Sequence, residues 1–288
     1  MVPEDRLLTN HDSAQSEMMD EMCIVVDRED RSVSSSSKLE CHRGDGIRHR
    51  AFSVLIFDSD GKLLIQKRST EKITFPGVWA NSCCSHPLDT DLENHGELGV
   101  INAAKRKLEQ ELGISEETSE HWDFSHIGRI EYSCRWDENW IEREIDHILV
   151  VNADTTVNHN KNEISEIKWV DSEEIGQMMS GEGEWNDEII APWFRLIWEK
   201  FAIPNGCDLD EMRKLNSTDI IYCGEVNMSG VPMQPGKKLL DALTGHRDRV
   251  ESEIMESLSK MGQDTLYGAM THLFKGGGKR LRAILPRL

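Results

Sequence analysis

Short apolar runs separated by turn-forming residues dominate most of the chain, and they predict mainly strands. Met22–Val26 (MCIVV) predicts a strand, with a turn at Asp27-Arg28-Glu29-Asp30 and a loop at the serine run Ser34 to Ser37. Ala51–Phe57 (AFSVLIF) predicts a second strand, turned by Asp58-Ser59-Asp60-Gly61 into Lys62–Lys67 (KLLIQK), which gives a hairpin. Thr74–Pro87 (TFPGVWANSCCSHP) carries Pro-Gly and Pro punctuation without a helical period and predicts a loop. In Gly99–Leu112 the residues Val100, Ala103, Ala104, Leu108 and Leu112 fall near one face of a helix, and Gly113 stops it. Ile127–Trp136, Ile145–Val151 and the alternating Ile164–Val170 predict strands, and Asp187–Phe201 a helix with Pro192 near its start. The fold class this implies is α/β, a mixed sheet with helices packed on it. Tyr222–Gly236 is rich in Gly and Pro and predicts a linker. Beyond it Leu239, Leu243, Val250, Ile254 and Leu258 are helically spaced, so residues 237–288 read as a short all-α segment.

Composition narrows the class. In 288 residues, 38% hydrophobic and 30% charged positions exclude both a disordered tail and a membrane protein. The longest apolar run, Met22 to Val26, is far short of the roughly 20 residues a spanning helix needs. No basic stretch followed by an apolar core opens the chain, and seven cysteines form no regular framework, so a cytoplasmic, reducing location is expected. A net charge of −19 argues against nucleic acid as a partner. That charge divides unevenly, −23 over residues 1–236 and +4 over residues 237–288, which suggests a join between two units.

Candidate chemistry clusters near strand ends. His42, His49, His86, Glu142 and Glu144 are donors suited to a divalent ion of the Mn, Mg or Zn type, and Glu142 and Glu144 share one side of an extended chain. Spacing alone does not bring the five together. Cys83-Cys84-Ser85-His86 places thiols near a histidine, and no second cysteine pair stands at zinc-knuckle spacing. Lys38, Arg68 and Lys72 flank the same strands, either as solvated charges or as a pocket for phosphate.

Arg106-Lys107-Leu108-Glu109-Gln110-Glu111-Leu112-Gly113-Ile114 resembles the end of the Nudix box, R-E-U-x-E-E-x-G-U with U aliphatic. Arg106, Glu111, Gly113 and Ile114 match; Lys107 and Gln110 replace carboxylates, and Leu98 holds the earlier Glu position. With EMCIVVD, the seven-residue step from His42 to His49, HRAFSVLIFDSDGKLLIQKRS, KITFPGVWANSCCSHP, LGVINAAKRKLEQELGI, IEREIDHILV and APWF, the chain resembles the type I isopentenyl-diphosphate Δ-isomerases. The likeness runs from about Glu21 to about Phe201. It implies a Nudix-like mixed sheet sandwiched by helices.

The resemblance also implies roles. His42, His49, His86, Glu142 and Glu144 would hold the divalent metal. Cys84 and Glu144 would transfer protons, assisted by Tyr132, while Cys83 occupies a variable position. Lys38, Arg68, Lys72 and Ser85 would hold the substrate diphosphate, Glu111 a magnesium ion bridging to it, and Trp193 would face positive charge. Double-bond migration in isopentenyl diphosphate requires protonation to a tertiary carbocation and loss of a neighbouring proton, hence one acid and one base.

Phe274-Lys275-Gly276-Gly277-Gly278-Lys279-Arg280-Leu281-Arg282 is similar to the GGKRxRP signature near the start of trans-prenyl diphosphate synthases, with Ala283 in place of Pro. The sequence reaches Leu288 before any DDxxD pair, so the expectation is an isomerase domain over residues 1–221, a linker over 222–236 and a partial synthase-like segment over 237–288, coupled to prenyl synthesis. Two other readings remain open, a Nudix hydrolase and a non-catalytic docking module for a synthase.

Overall fold

The computed structural model describes residues 8–9, 11–215 and 218–230. Its elements in chain order begin with helix α1 (Ser13–Glu17), strands β1 (Met22–Val26) and β2 (Ser32–Ser37), and helix α2 (Lys38–Cys41). Strands β3 (His49–Phe57), β4 (Leu63–Arg68), β5 (Trp79–Ala80) and β6 (Cys83–Ser85) follow, then helices α3 (Gly96–Leu112) and α4 (Glu116–Ser119). Next come β7 (Ser125–Arg135), β8 (Ile141–Asn152) and β9 (Ile164–Val170), helices α5 (Ser172–Ser180), α6 (Pro192–Ile197) and α7 (Leu209–Arg213), and β10 (Ile220–Val226). The architecture is α/β, a curled mixed sheet in the order β10-β7-β8-β3-β1-β2, with β4, β5, β6 and β9 joined to it around β3.

Helices cover both faces of this sheet. The stripe on α3, Val100, Ala103, Ala104, Leu108 and Leu112, packs on Phe52, Val54, Ile56, Leu149 and Val151. On the other face Leu55, Phe57, Ile148 and Val150 meet Ile175 of α5 and Trp193, Phe194 and Ile197 of α6. The two sets alternate along β3 and β8, as the two-residue period of a strand requires. Gly113 ends α3 in the left-handed region at φ 67°, where a Cβ would overlap the Asn158 carbonyl oxygen.

Several sequence-based expectations are corrected. The serine run is strand rather than loop, because β2 pairs antiparallel with the hydrophobic β1 along its length. The hairpin after β3 parts at once: only Phe57 and Leu63 pair, and β4 turns away to run antiparallel to β9. Within the expected loop Thr74–Pro87, β6 adds to β3. The helix expected from Asp187 starts at Pro192, whose ring suits the first helical position, and continues past Ile197 as a π turn, Trp198–Ala202. The first residues of the expected linker form β10, parallel to β7. The chain divides into two units, Met1–Pro232 and Met233–Leu288, and the expected all-α segment 237–288 lies outside the described residues. Among the described residues no helix is long and apolar enough to cross a membrane.

Candidate active site and metal centre

Strand register assembles the centre of the site. Parallel pairing of β3 with β8 sets His49 opposite Glu144, and antiparallel pairing of β7 with β8 sets Tyr132 opposite the same residue. One row across three strands therefore carries Tyr132, Glu144 and His49. Glu142 precedes Glu144 by two positions and lies on the same face. His42 follows α2, and its carbonyl accepts the amide of Ile141 at 3.0 Å, which fixes it at the start of β8. His86 follows β6, itself held on β3 by the pairing of Cys84 with Ser53 and of Ser85 with Phe52.

Donor atoms of His42, His49, His86, Glu142 and Glu144 all lie within 4.8 Å of one another, and all five residues are buried. The three imidazole centroids stand 4.7, 4.7 and 4.9 Å apart. The Nδ1 of His42 contacts the Lys38 carbonyl at 2.7 Å and that of His49 the Ile47 carbonyl at 2.8 Å, so both rings turn Nε2 inward. His42 Nε2 lies 2.8 Å from Glu142 Oε2, yet both atoms are buried without a hydrogen-bond partner, as is His49 Nε2. Buried polar atoms that converge without bonding one another fit a shared cation, and three imidazoles with two carboxylates suit a divalent ion.

The cluster's charges hold one another: its two carboxylates stay ionised, while His49 gains a proton that a metal would have to displace. Burial presses Glu142 upward, but His42 outweighs it and holds the carboxyl below its ordinary range. For Glu144 burial is likewise overridden, here by His49 and by the Tyr132 hydroxyl, which donates to Oε2 at 2.6 Å. Burial presses His49 down, and Glu144 carries it up to about 9. His86 touches Glu144 Oε1 at 2.7 Å, and burial keeps it well below the usual imidazole range.

A cavity opens beside the cluster with roughly 570 Å³ of empty space, its mouth included. Glu142, Glu144, His86 and Tyr132 face it, and so do Lys38, Arg68, Lys72, Cys84, Ser85 and Trp193. The sequence-derived acid–base, anion and aromatic groups thus share one space. Burial pushes the Cys84 thiol up to about 12, against the pull of Arg68, so at neutral pH it holds its proton. Arg68 is pinned by the Phe75 and Thr74 carbonyls at 3.0 and 2.8 Å, its Nη1 stands 3.9 Å from Cys84 Sγ, and it lies 5.8 Å from the Trp193 ring centroid. Lys72 is ion-paired with Glu163.

Glu111 is set apart from this group. It is outside the cavity lining, its Oε1 lies 3.1 Å from Lys107 Nζ, and Cys83 Sγ is 3.8 Å from its Oε2. Arg106 is bound to Glu93.

Three cavity-facing or cavity-bracing residues escape the sequence reading. Asp146 lines the cavity 1% exposed, accepting from Ser53 Oγ at 2.8 Å. The alternation Glu142, Glu144, Asp146 was the signal that put it on the same face. Glu163 and Gln15 carry no signal in the sequence, because only the folded chain brings Glu163 to Lys72 and Gln15 to Glu163.

The NUDIX domain family matches residues 47–194. The isopentenyl-diphosphate delta-isomerase of Gibberella zeae is 42% identical over 199 residues, covering 66% of this chain and 77% of that protein. Isopentenyl-diphosphate Delta-isomerase 1 of Bos taurus is 41% identical, covering 66% and 86%, and the Dictyostelium discoideum isopentenyl-diphosphate Delta-isomerase is 43% identical, covering 71% and 90%.

Proposed function

The chain belongs to the isopentenyl-diphosphate Δ-isomerase family built on the NUDIX domain, and from that membership we propose how it interconverts isopentenyl and dimethylallyl diphosphate. The observation that carries the residue assignment is one cavity lined by a protonated thiol, Cys84, and an ionised carboxylate, Glu144. Proton addition to the alkene and proton loss from the adjacent carbon need such a pair.

Lys38, Arg68, Lys72 and Ser85 hold the diphosphate and so place the hydrocarbon near both groups. Cys84 and Glu144 exchange protons with the carbon skeleton, and Tyr132 orients Glu144 through its hydroxyl. Trp193 offers its ring to the cationic carbon, an attraction worth about 2 kcal/mol when desolvated. His42, His49, His86, Glu142 and Glu144 hold a divalent metal, manganese, magnesium or zinc. When bound, that ion supplies positive charge that keeps the two buried carboxylates ionised. Glu111 fits a second magnesium poorly in this arrangement, because Lys107 already neutralises its carboxylate, so no step is assigned there.

Turnover of isopentenyl diphosphate by the metal-loaded protein tests the reading. Cys84→Ala and Glu144→Gln should each lower kcat by about 100-fold or more. No turnover in the unaltered protein, or full activity in both variants, would refute it. Seven unpaired cysteines suit a reducing, cytoplasmic setting, which localisation of the tagged chain would check.

The proposal extends to residues 237–288 as a synthase-like segment whose Lys279 and Arg280 hold a second isopentenyl diphosphate. Equilibrium binding should then find two sites, one of them lost in Lys279→Ala. A single site in the unaltered chain would count against the coupling to prenyl synthesis.

A further inference from the structure

The Lys72 ammonium lines the cavity, but its close partner is Glu163, a carboxylate whose side chain is 1% exposed. Glu163 cannot drift. Its backbone carbonyl accepts the Ser69 amide at 3.0 Å, its amide donates to the Asn160 carbonyl at 3.0 Å, and the Asn160 amide is bound to the Glu111 carbonyl at 2.8 Å. The turn bearing Lys72 is therefore stitched to the segment bearing Glu163 through the main chain as well as through the ion pair.

The second oxygen of that carboxylate is used too. Gln15 of α1 donates from Nε2 to Glu163 Oε1 at 2.8 Å, and the same nitrogen lies 2.7 Å from Asn162 Oδ1 and 3.3 Å from the Asn162 carbonyl. Gln15 is itself 4% exposed and lines the cavity together with Met19, just beyond the helix. Asp12 caps α1 by accepting the amides of Ala14 and Gln15, so the helix presents Gln15 in a fixed place. One buried carboxylate thus grips a cavity lysine on one side and a cavity-lining glutamine of α1 on the other.

We propose that Glu163 is a positioning residue that aims Lys72 into the cavity and, through Gln15, couples anion binding there to closure of the segment formed by α1 and Met19. An anion drawn to the remaining donors of Lys72 settles that side chain against the already fixed Glu163 carboxylate, and so favours the arrangement in which the same carboxylate also holds Gln15. By reciprocity, loosening Gln15 must weaken the anion. The inference rests on reading Lys72 as a diphosphate ligand.

The test is titration of inorganic diphosphate into the metal-loaded full chain, followed calorimetrically and by amide hydrogen exchange over residues 13–20. In the unaltered protein, saturating diphosphate should slow that exchange about 5-fold or more, and Glu163→Ala should weaken binding about 10-fold and abolish the slowing. Gln15→Ala should weaken binding less, and the double variant should bind no worse than Glu163→Ala alone, because Gln15 acts through Glu163. Glu163→Gln, which keeps an acceptor for Lys72, should recover part of the loss and serves in place of Glu163→Ala if that variant does not fold. Tighter binding in Glu163→Gln with unchanged exchange would overturn the proposal, leaving Glu163 a mere counter-charge. Additive losses for Gln15 and Glu163 would also overturn it. An unaltered protein that takes up no diphosphate would instead refute the anion site itself, an outcome distinct from binding without coupling.

Discussion

Replacing Tyr132 by Phe removes one hydroxyl and nothing else from a side chain that is 1% exposed. The ring keeps its place opposite Glu144 in the β7–β8 register, so no cavity forms and the sheet has no reason to shift. What is lost is a 2.6 Å bond to Glu144 Oε2. A hydrogen bond to a charged acceptor is worth about 1.5–3 kcal/mol. If Glu144 must be held in that orientation to exchange the substrate proton, the whole amount is felt in the transition state, a fall in kcat of about 10- to 150-fold. The same loss acts on the folded state, and about 2 kcal/mol corresponds to a melting temperature lower by roughly 4–8 °C for a domain of this size. Steady-state kinetics with isopentenyl diphosphate, at saturating metal, read the first quantity, and a thermal melt reads the second. The two must move together. A Tyr132→Phe enzyme within about 3-fold of the unaltered kcat would refute the claim that this hydroxyl positions the base, since the assigned bond is too strong for so small an effect.

Other consequences follow from the same geometry. Stripping the divalent ion from the His/Glu centre should lower the melting temperature by roughly 5–10 °C against protein held at about 100 times the metal dissociation constant, a linkage of about 2.7 kcal/mol. His49→Ala should erase the difference, and a melt indifferent to metal would remove the ion from the cluster. On the opposite face, burial presses Asp30 up, but His147 and Arg50 hold it to about 2, and it is bonded to Arg50, Arg129 and His147. Its folded value is depressed, so its contribution, about 2 kcal/mol, is present above pH 4 and is lost as pH falls toward 2. Burial keeps His126 near 4, so the unfolded chain binds that proton first and stability declines already between pH 6.5 and 4. Asp30→Asn tolerates the positive φ of 64° and should flatten the lower part of the acid-unfolding profile, which is checked by denaturant melts across pH. Gly113→Ala should cost about 2 kcal/mol or more, from the left-handed backbone and the overlap with Asn158, read as a shifted urea midpoint.

Local pattern and site composition were legible in the sequence to different depths. The strand at Ile164–Val170 and the helix stopped by Gly113 follow from periodicity and a glycine stop, both local facts. The five donors were visible as residue types, but their convergence depends on His49 meeting Glu144 across a parallel pair whose partners are 95 residues apart in sequence. No local period encodes that register. Serines 34 to 37 form strand against their composition because strand formation there is decided by the partner β1, not by serine propensity. Glu163 and Gln15 were missed for the same reason: each is an ordinary polar residue until the fold places one against the other.

The swap at Lys107 clarifies why a NUDIX scaffold can serve an isomerase. In the box pattern a run of carboxylates on the helix gathers cations against a diphosphate. On α3 that helix face instead holds a lysine 1% exposed, with its Nζ 3.1 Å from Glu111 and 3.2 Å from Gln110 Oε1. Burial presses the ammonium down, but Glu111 overrides it and keeps Lys107 charged. The helix therefore carries its own cation, fixed and unable to activate water, where hydrolytic chemistry would need an exchangeable metal. The group that could hold an exchangeable ion lies elsewhere, where His42, His49, His86, Glu142 and Glu144 come together. Lys38, Arg68 and Lys72 line the cavity with Glu142, Glu144 and Asp146 of β8, whereas Glu111 of α3 stays outside its lining. On the proposed assignment, a diphosphate held there brings its hydrocarbon end to Cys84 and Glu144, while α3 presents the fixed pair of Lys107 and Glu111 where the box pattern has successive carboxylates.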